Sequence, residues 1–365
     1  MAIEAESPEQ FGYDRIRFNL AESSVPDTPL RDLDVSLDDL VLMYGDHMGR
    51  PGLRAAIAAG GAGLTPEDVL VTPGAAAALF IISTSLLRPG DHLIVARPNY
   101  ATNLETPRAI GADISYVDLT YEDGWAVDPT RIAAMLTPRT TLVSMTDPHN
   151  PTGQVMPEGT VRTIVDLVEA HPQARLLVDE TYREMTFGGA RPLAASLSAR
   201  AISVSSLSKA DGLPGIRIGW LVTRDRPLME RFLAAKEQIL ITNSVVDEAI
   251  AEVAMARRDA RLATIRGAIQ VALTTTRAWM AGQDDFEWVE PAGGVVGFPR
   301  FRDGVDVDVD EFYRILLDDY GTVVGPGHWF DQSRRHFRLG FGWPTPDELA
   351  GGLAALTAAA RGAAR

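Results

Sequence analysis

The sequence predicts an α/β protein: a large domain built on a mostly parallel sheet covered by helices, followed by a smaller α+β C-terminal domain. Three observations predict it. From residue 50 to about 225, short β-branched apolar segments alternate with longer segments of helical periodicity. The strand segments are near-continuous apolar runs, as expected of strands buried on both faces. Beyond about residue 225 the texture shifts to long helices and then to isolated strands.

Taken in order, "GRPGLRAAIAAGGAG" predicts a helix opened near a proline and closed by glycines. "DVLVTPG" predicts a short strand, and "AAAALFIISTSLL" an apolar helix directly after it. "DHLIVARP" and "ADISYVDL" are strands, and "PTRIAAMLTP" is a short helix. "TTLVSMTDP" is a strand, and "PEGTVRTIVDLVEAHP" has apolar residues at helical spacing. "ARLLVDE", "AISVSSLS" and "IGWLVT" complete the strands of the large domain. Two stretches then predict long helices, "RPLMERFLAAKEQILI" and the run from "SVVDEAIAEV" to "TTTRAWMAG". "GGVVGFPRF", "TVVGPGHWF" and "HFRLGFGW" predict strands of the smaller unit. The last helix, "PDELAGGLAALTAAARGAA", is rich in the best helix former and has Leu353 and Leu356 on one face. The expected organisation is an N-terminal segment 1–44 packing on the small domain and the active site, a large domain 45–245 and a small domain 246–365.

Composition narrows the function. The 365 residues carry a formal net charge of −15, which argues against nucleic-acid binding, because phosphate contacts need clustered cations. There is no cysteine, hence no thiol nucleophile or thiolate metal site. The six histidines are scattered, without the spacing of a helical metal site, so no metal is expected. "MAIEAESPEQ" lacks an apolar leader core, and no run reaches the ~18 apolar residues of a membrane span, so the expectation is a cytoplasmic protein without a membrane partner.

The basic residues hold the sharper signal. Of 34, only Lys209 and Lys236 are lysine. Lys236 lies in a helical stretch and is expected at a solvated position. Lys209 lies in "SVSSLSKADGLPGIRIGW", between two strands. Ligands of parallel α/β sheets collect at the carboxyl ends of strands. There this sequence places "PGAAAAL" at a helix start, suited to an anion, then Tyr100, Asn150 in "DPHNPTG", Asp179 and Tyr182 in "VDETY", Lys209 and Arg217.

In that order along the chain, these residues resemble the fold-type-I pyridoxal-phosphate enzymes of the aminotransferase class I/II family. The resemblance runs from "YGDHMGRPGLRAAI" to "FRLGFGW", with "NPTG" and "SLSK…GLPGIRIGW" its most specific pieces. It implies a seven-stranded-type sheet and pyridoxal 5'-phosphate as cofactor, with Lys209 as the lysine that joins it through an imine. Gly74, Ala75, Ala76, Ser206, Ser208 and Arg217 would hold the phosphate. Asp179 would hold the pyridine nitrogen protonated, Asn150 and Tyr182 would meet the ring 3-hydroxyl, and Tyr100 would stack on the ring. Tyr44 would reach the phosphate of a neighbouring subunit, which implies a homodimer with active sites at its interface. Arg338 matches the arginine that grips the substrate α-carboxylate.

The resemblance implies an aminotransferase acting on an L-amino acid, with a 2-oxo acid as amino acceptor. Glu22, Ser23 and Ser24 stand where many relatives carry glycine, and a carboxylate there favours a cationic substrate. "PAGGVVGFPRF" and "RLGFGWP" are similar to capreomycidine-synthase-type enzymes, which cyclise a modified arginine. Related arginine oxidases or hydroxylases form part of the same alternative. A pyridoxal-phosphate-sensing regulator is the remote one, since it needs a basic DNA-binding segment ahead of this fold. Glu22, Ser24, His328 and Trp329 are the candidates for the substrate side-chain pocket.

Overall fold

The computed structural model describes residues 7–189 and 191–365. Residues 1–6, the first part of "MAIEAESPEQ", and Ala190 lie outside the described residues.

After a short helix Pro8–Phe11 and a 3-10 turn Tyr13–Arg15, the first strand, β1 (Phe18–Leu20), joins the small sheet. Seven strands then build the large sheet: β2 (Val69–Thr72), β3 (His92–Arg97), β4 (Asp113–Asp118), β5 (Thr140–Thr146), β6 (Arg175–Asp179), β7 (Ala201–Ser206) and β8 (Gly219–Val222). Their spatial order is β2-β8-β7-β6-β5-β3-β4. β8 runs antiparallel to both its neighbours, and the remaining pairs are parallel. β2, β5, β7 and β8 are buried along almost their whole length, the physical basis of their continuous apolar runs.

Helices Gly74–Leu86 and Arg226–Glu237 pack with Leu70, Leu93, Ile202 and Leu221 in one apolar layer. Helix Glu158–Ala170 packs with Val143, Leu176 and Ala201 in another. Helix Ala101–Ile110, which sequence reading did not find, contains Pro107 and only a weak apolar stripe. Tyr100 is its N-cap, and the residue lies at the mouth of the sheet in the cavity lining.

The small unit holds β9 (Phe286–Glu287), β10 (Val296–Gly297), β11 (Arg300–Phe301), β12 (Thr322–Pro326) and β13 (Phe337–Gly340). Its sheet has the order β1-β12-β13-β10, while β9 and β11 form a separate pair. The expected strand "GGVVGFPRF" therefore splits between two sheets. "TVVGPGHWF" is a strand only as far as Pro326, and Gly327–Phe330 turn in a 3-10 helix. The long helical run after residue 244 divides at Arg257 into Val245–Ala256 and Arg258–Ala281. The amphipathic helix Val309–Asp318, also missed, is capped by Asp308, whose carboxylate accepts from the Glu311 N–H. The C-terminal helix Pro346–Gly362 opens with a capping box from Thr345 and Glu348. Among the described residues, no helix is long and apolar enough to cross a membrane.

β1 carries the N-terminal segment from the small sheet into the large domain. Beyond it, the Val25 N–H donates to the Lys209 carbonyl (3.1 Å) and the Thr28 N–H to the Gly212 carbonyl (2.8 Å). The segment is thus fastened to both sheets.

Candidate active site

A cavity of about 380 Å³ opens at the carboxyl end of the parallel strands. One wall is the N-terminus of helix Gly74–Leu86, represented by Ala75 and Ala76, facing Ser206, Ser208 and Arg217. Tyr100, Asn150, Asp179, Tyr182 and Lys209 line the middle, and Glu22, Trp329 and Arg338 line the side toward the small unit. Residues from five strand ends thus meet in one hollow, although they are spread over more than two hundred positions.

Local geometry explains the anion cradle. Gly74 has φ of +79°, and a Cβ there would meet Arg217 Nη2 at 2.5 Å, so only glycine lets the guanidinium approach the helix start. Arg217 itself holds a left-handed conformation (φ 49°, ψ 44°) and donates to Ser208 Oγ (3.3 Å) and the Pro214 carbonyl (2.8 Å). Free backbone N–H groups, two hydroxyls and a guanidinium around one point are the donor set for a phosphate dianion.

Asp179 is buried, and its Oδ1 accepts from Thr181 Oγ1 (2.6 Å) and the Thr181 N–H (3.1 Å). Burial raises its pKa, and the Thr181 bonds offset this only in part, so a cationic N–H partner is what the site lacks. Behind it, burial pushes Glu180 up to about 8 and Asp147 up to about 6.

Arg338 is also buried. It donates to the Asn150 side-chain oxygen (3.2 Å) and the Ala21 carbonyl (2.8 Å), and its guanidinium lies over the Phe330 ring at 5.0 Å. Its Nε has no hydrogen-bond partner among the described residues, although it is buried. A guanidinium so held, with one donor spare, is made to receive a carboxylate.

Glu22 faces Lys209, with Oε1 at 3.3 Å from Nζ. Burial works to raise the Glu22 pKa, but the Lys209 charge, the Ser23 N–H and Arg338 together outweigh it and hold the carboxyl below its ordinary value. The Tyr182 hydroxyl donates to the Ser23 carbonyl at 2.7 Å. Three adjacent residues, Ala21, Glu22 and Ser23, therefore hold Arg338, Lys209 and Tyr182.

Not every candidate reaches the cavity. Ser24 is buried one residue beyond the wall, and its Oγ has no partner among the described residues. His328 is exposed at the start of the turn whose next residues, Trp329 and Phe330, line the pocket. Tyr44 is exposed and lies outside it. Sequence reading missed Asp27, Thr181 and Phe330. The last two directly follow or precede residues that had been singled out, so proximity to a motif was the available signal. Asp27, which lines the cavity and accepts from Trp343 Nε1 (3.1 Å), carries no local signal at all.

A phosphate cradle, a buried carboxylate lacking a cation and a lysine between them fit pyridoxal 5'-phosphate. They define a fold-type-I enzyme that uses it. Residues 23–356 match the aminotransferase class I and II family, and the chain belongs to it. It is 35% identical to a capreomycidine synthase from Streptomyces vinaceus over 325 residues, 88% of this chain and 82% of that protein. It is also 35% identical to an arginine–pyruvate transaminase from Pseudomonas aeruginosa over 207 residues, 54% of this chain and 52% of that protein. Its structure matches that of a pyridoxal-phosphate-dependent aminotransferase from Streptococcus suis with a TM-score of 0.90 at 26% identity, covering 97% of this chain and 96% of the other. The protein is a pyridoxal-phosphate-dependent aminotransferase, and amino acids and 2-oxo acids are its substrate classes.

Proposed function

We propose that this aminotransferase takes an L-amino acid with a guanidinium side chain, arginine or a close derivative, and passes its amino group to a 2-oxo acid. The observation that carries the reading is Glu22, a half-buried carboxylate in the cavity wall. When Lys209 is committed to the cofactor and Arg338 to the substrate α-carboxylate, half-buried Glu22 loses the two charges that hold it ionised, a costly state unless another cation arrives. A guanidinium supplies that cation with a planar fork matched to the carboxylate. The names of two relatives, an arginine–pyruvate transaminase and a capreomycidine synthase, point the same way.

Each residue then has a role. Gly74, Ala75, Ala76, Ser206, Ser208 and Arg217 bind the cofactor phosphate, and Tyr100 covers the ring. Asp179 keeps the ring nitrogen protonated, while Asn150 and Tyr182 orient the 3-hydroxyl edge. When bound, the cofactor supplies an electron sink for the electrons released at the substrate Cα. Arg338 fixes the α-carboxylate, and Lys209 removes the Cα proton as general base and delivers a proton as general acid.

The reading includes a homodimer with Tyr44 directed at the partner's cofactor phosphate. Residues 41–44, Val-Leu-Met-Tyr, are 67–77% exposed, and a run of four exposed apolar side chains is an interface in waiting.

The test is the visible spectrum of the cofactor-loaded protein as L-arginine, L-glutamate and L-alanine are added in turn, with and without air. Arginine should bleach the band and glutamate should not; pyruvate should restore it, and alanine, the product of that return, should bleach it as well. Glu22→Gln should lower selectivity for arginine over alanine by about 10- to 100-fold, the worth of one hydrogen bond to a charged group. Bleaching by alanine and not arginine would sink the substrate assignment. A second reading rests on the capreomycidine synthase likeness over 88% of the chain. A hydroxylated arginine converted to a cyclic product without consuming 2-oxo acid, measured by mass spectrometry, would favour it.

A further inference from the structure

The second lysine has no place in this chemistry, and its surroundings ask for one. Lys236 was expected to be solvated; it is 0% exposed. The helical period around it was right, but the last turn of helix Arg226–Glu237 is covered by residues 46–50, which come from nearly two hundred positions away. Its Nζ donates to the His47 carbonyl at 2.6 Å. In a chain whose cations, Lys209 apart, are otherwise arginine, a compact ammonium here fits a space that a guanidinium fork does not.

The corner it grips is held at several further points. Glu248 accepts from the Arg50 N–H (2.9 Å) and from the Asn243 side chain (2.8 Å). Arg54 donates to the Gly49 carbonyl (2.9 Å) and meets Asp46 (3.3 Å), while the His47 ring meets Glu237. Immediately before this corner lies the exposed apolar run 41–44. Immediately after Lys236 come Ile239 and Ile241, which are also exposed. The Lys236–His47 bond is the joint that ties the corner after the first apolar stretch to the helix before the second.

We propose that Lys236 is a positioning residue: its buried amine fastens the corner 46–50 to helix Arg226–Glu237 and thereby holds the run 41–44 in the orientation that a second copy of this chain packs against. The proposal rests on the dimer reading above. The charged and titratable groups facing the amine are Asp46 and His47 of the corner, Glu237 of its own helix and Glu248 of helix Val245–Ala256, with Arg54 behind Asp46.

Burial lowers the amine from its ordinary 10.5 to about 8, with Glu248, Asp46 and Glu237 opposing the fall. The joint therefore loses its charge-assisted bond as pH rises through about 8. The fold as a whole has the opposite slope. An amine whose folded value is depressed destabilises the folded chain while charged, so the chain gains stability as pH climbs from about 8 toward 10.5. Dimer loss over that interval is thus separable from unfolding.

The experiment is sedimentation of the cofactor-loaded enzyme from about pH 7 to about pH 9.5, an interval straddling that value. The parent should show a dimer dissociation constant that rises about tenfold through the interval. Lys236→Met should be about tenfold weaker at the start and flat thereafter. Glu248→Gln, which removes a charge facing the amine, should move the inflection to lower pH. A Lys236→Met protein that dimerises with the parent's constant and slope overturns the proposal, as does an unmoved inflection in Glu248→Gln. A parent that sediments as a monomer throughout defeats the dimer reading itself, and this proposal with it.

Discussion

The two lysines sit in opposite surroundings. Lys209 projects into an open cavity at a loop between β7 and β8, with a single carboxylate, Glu22, beside its amine. Lys236 ends a regular helix, is sealed from solvent, and gives its amine to a main-chain carbonyl. A reactive amine needs access and a partner it can give up; a fastening amine needs burial and an acceptor that cannot move away. The difference shows that one residue type serves chemistry or architecture according to what the rest of the chain brings to it.

The sharpest break of this comparison is Lys209→Ala. Turnover should fall by at least about 10³-fold, since the group that moves the proton is gone. The variant should also fail to keep a visible band through gel filtration, whereas Lys236→Met should keep it. A Lys209→Ala protein with a covalent cofactor band would show that the two roles had been exchanged.

Next in size is direct chemical access. An amine-directed acylating reagent should modify Lys209 in the folded apoprotein and spare Lys236 by about 100-fold, because Lys236 reacts only when its covering opens. Mass spectrometry of the peptides reads both sites, and unfolding in denaturant should equalise them. Equal labelling in the native state would mean that the corner 46–50 does not cover the helix end.

The smallest effect sharpens the Lys209 side. Arg338→Lys keeps the charge but loses the fork and the spare Nε donor, so KM for the amino acid should rise by about tenfold or more with kcat less affected. Initial-rate kinetics with a single amino acid suffice. An unchanged KM would remove Arg338 from carboxylate binding.

Much of the site was legible because its residues sit at strand ends in a fixed order. "NPTG" delivers Asn150, "VDETY" delivers Asp179 and Tyr182, and "SLSK…GIR" delivers Lys209 and Arg217, each beside an apolar run that marks the strand. Asp27 was not legible: it lies in an irregular segment and reaches the cavity only because Val25 and Thr28 are bonded to the loop that carries Lys209. β1 was equally hidden, since three residues have no period, and its strand character comes from β12 alongside it.

The sequence by itself determined the fold class, the family and many of the residues that line the cavity, because strand and helix periods and strand-end motifs are local properties written in consecutive residues. Only the tertiary structure decided that Glu22 meets Lys209 across 187 positions, that Arg338 keeps a spare donor, and that Lys236 is buried. Burial and pairing depend on which distant segment covers a side chain, and no local pattern records that.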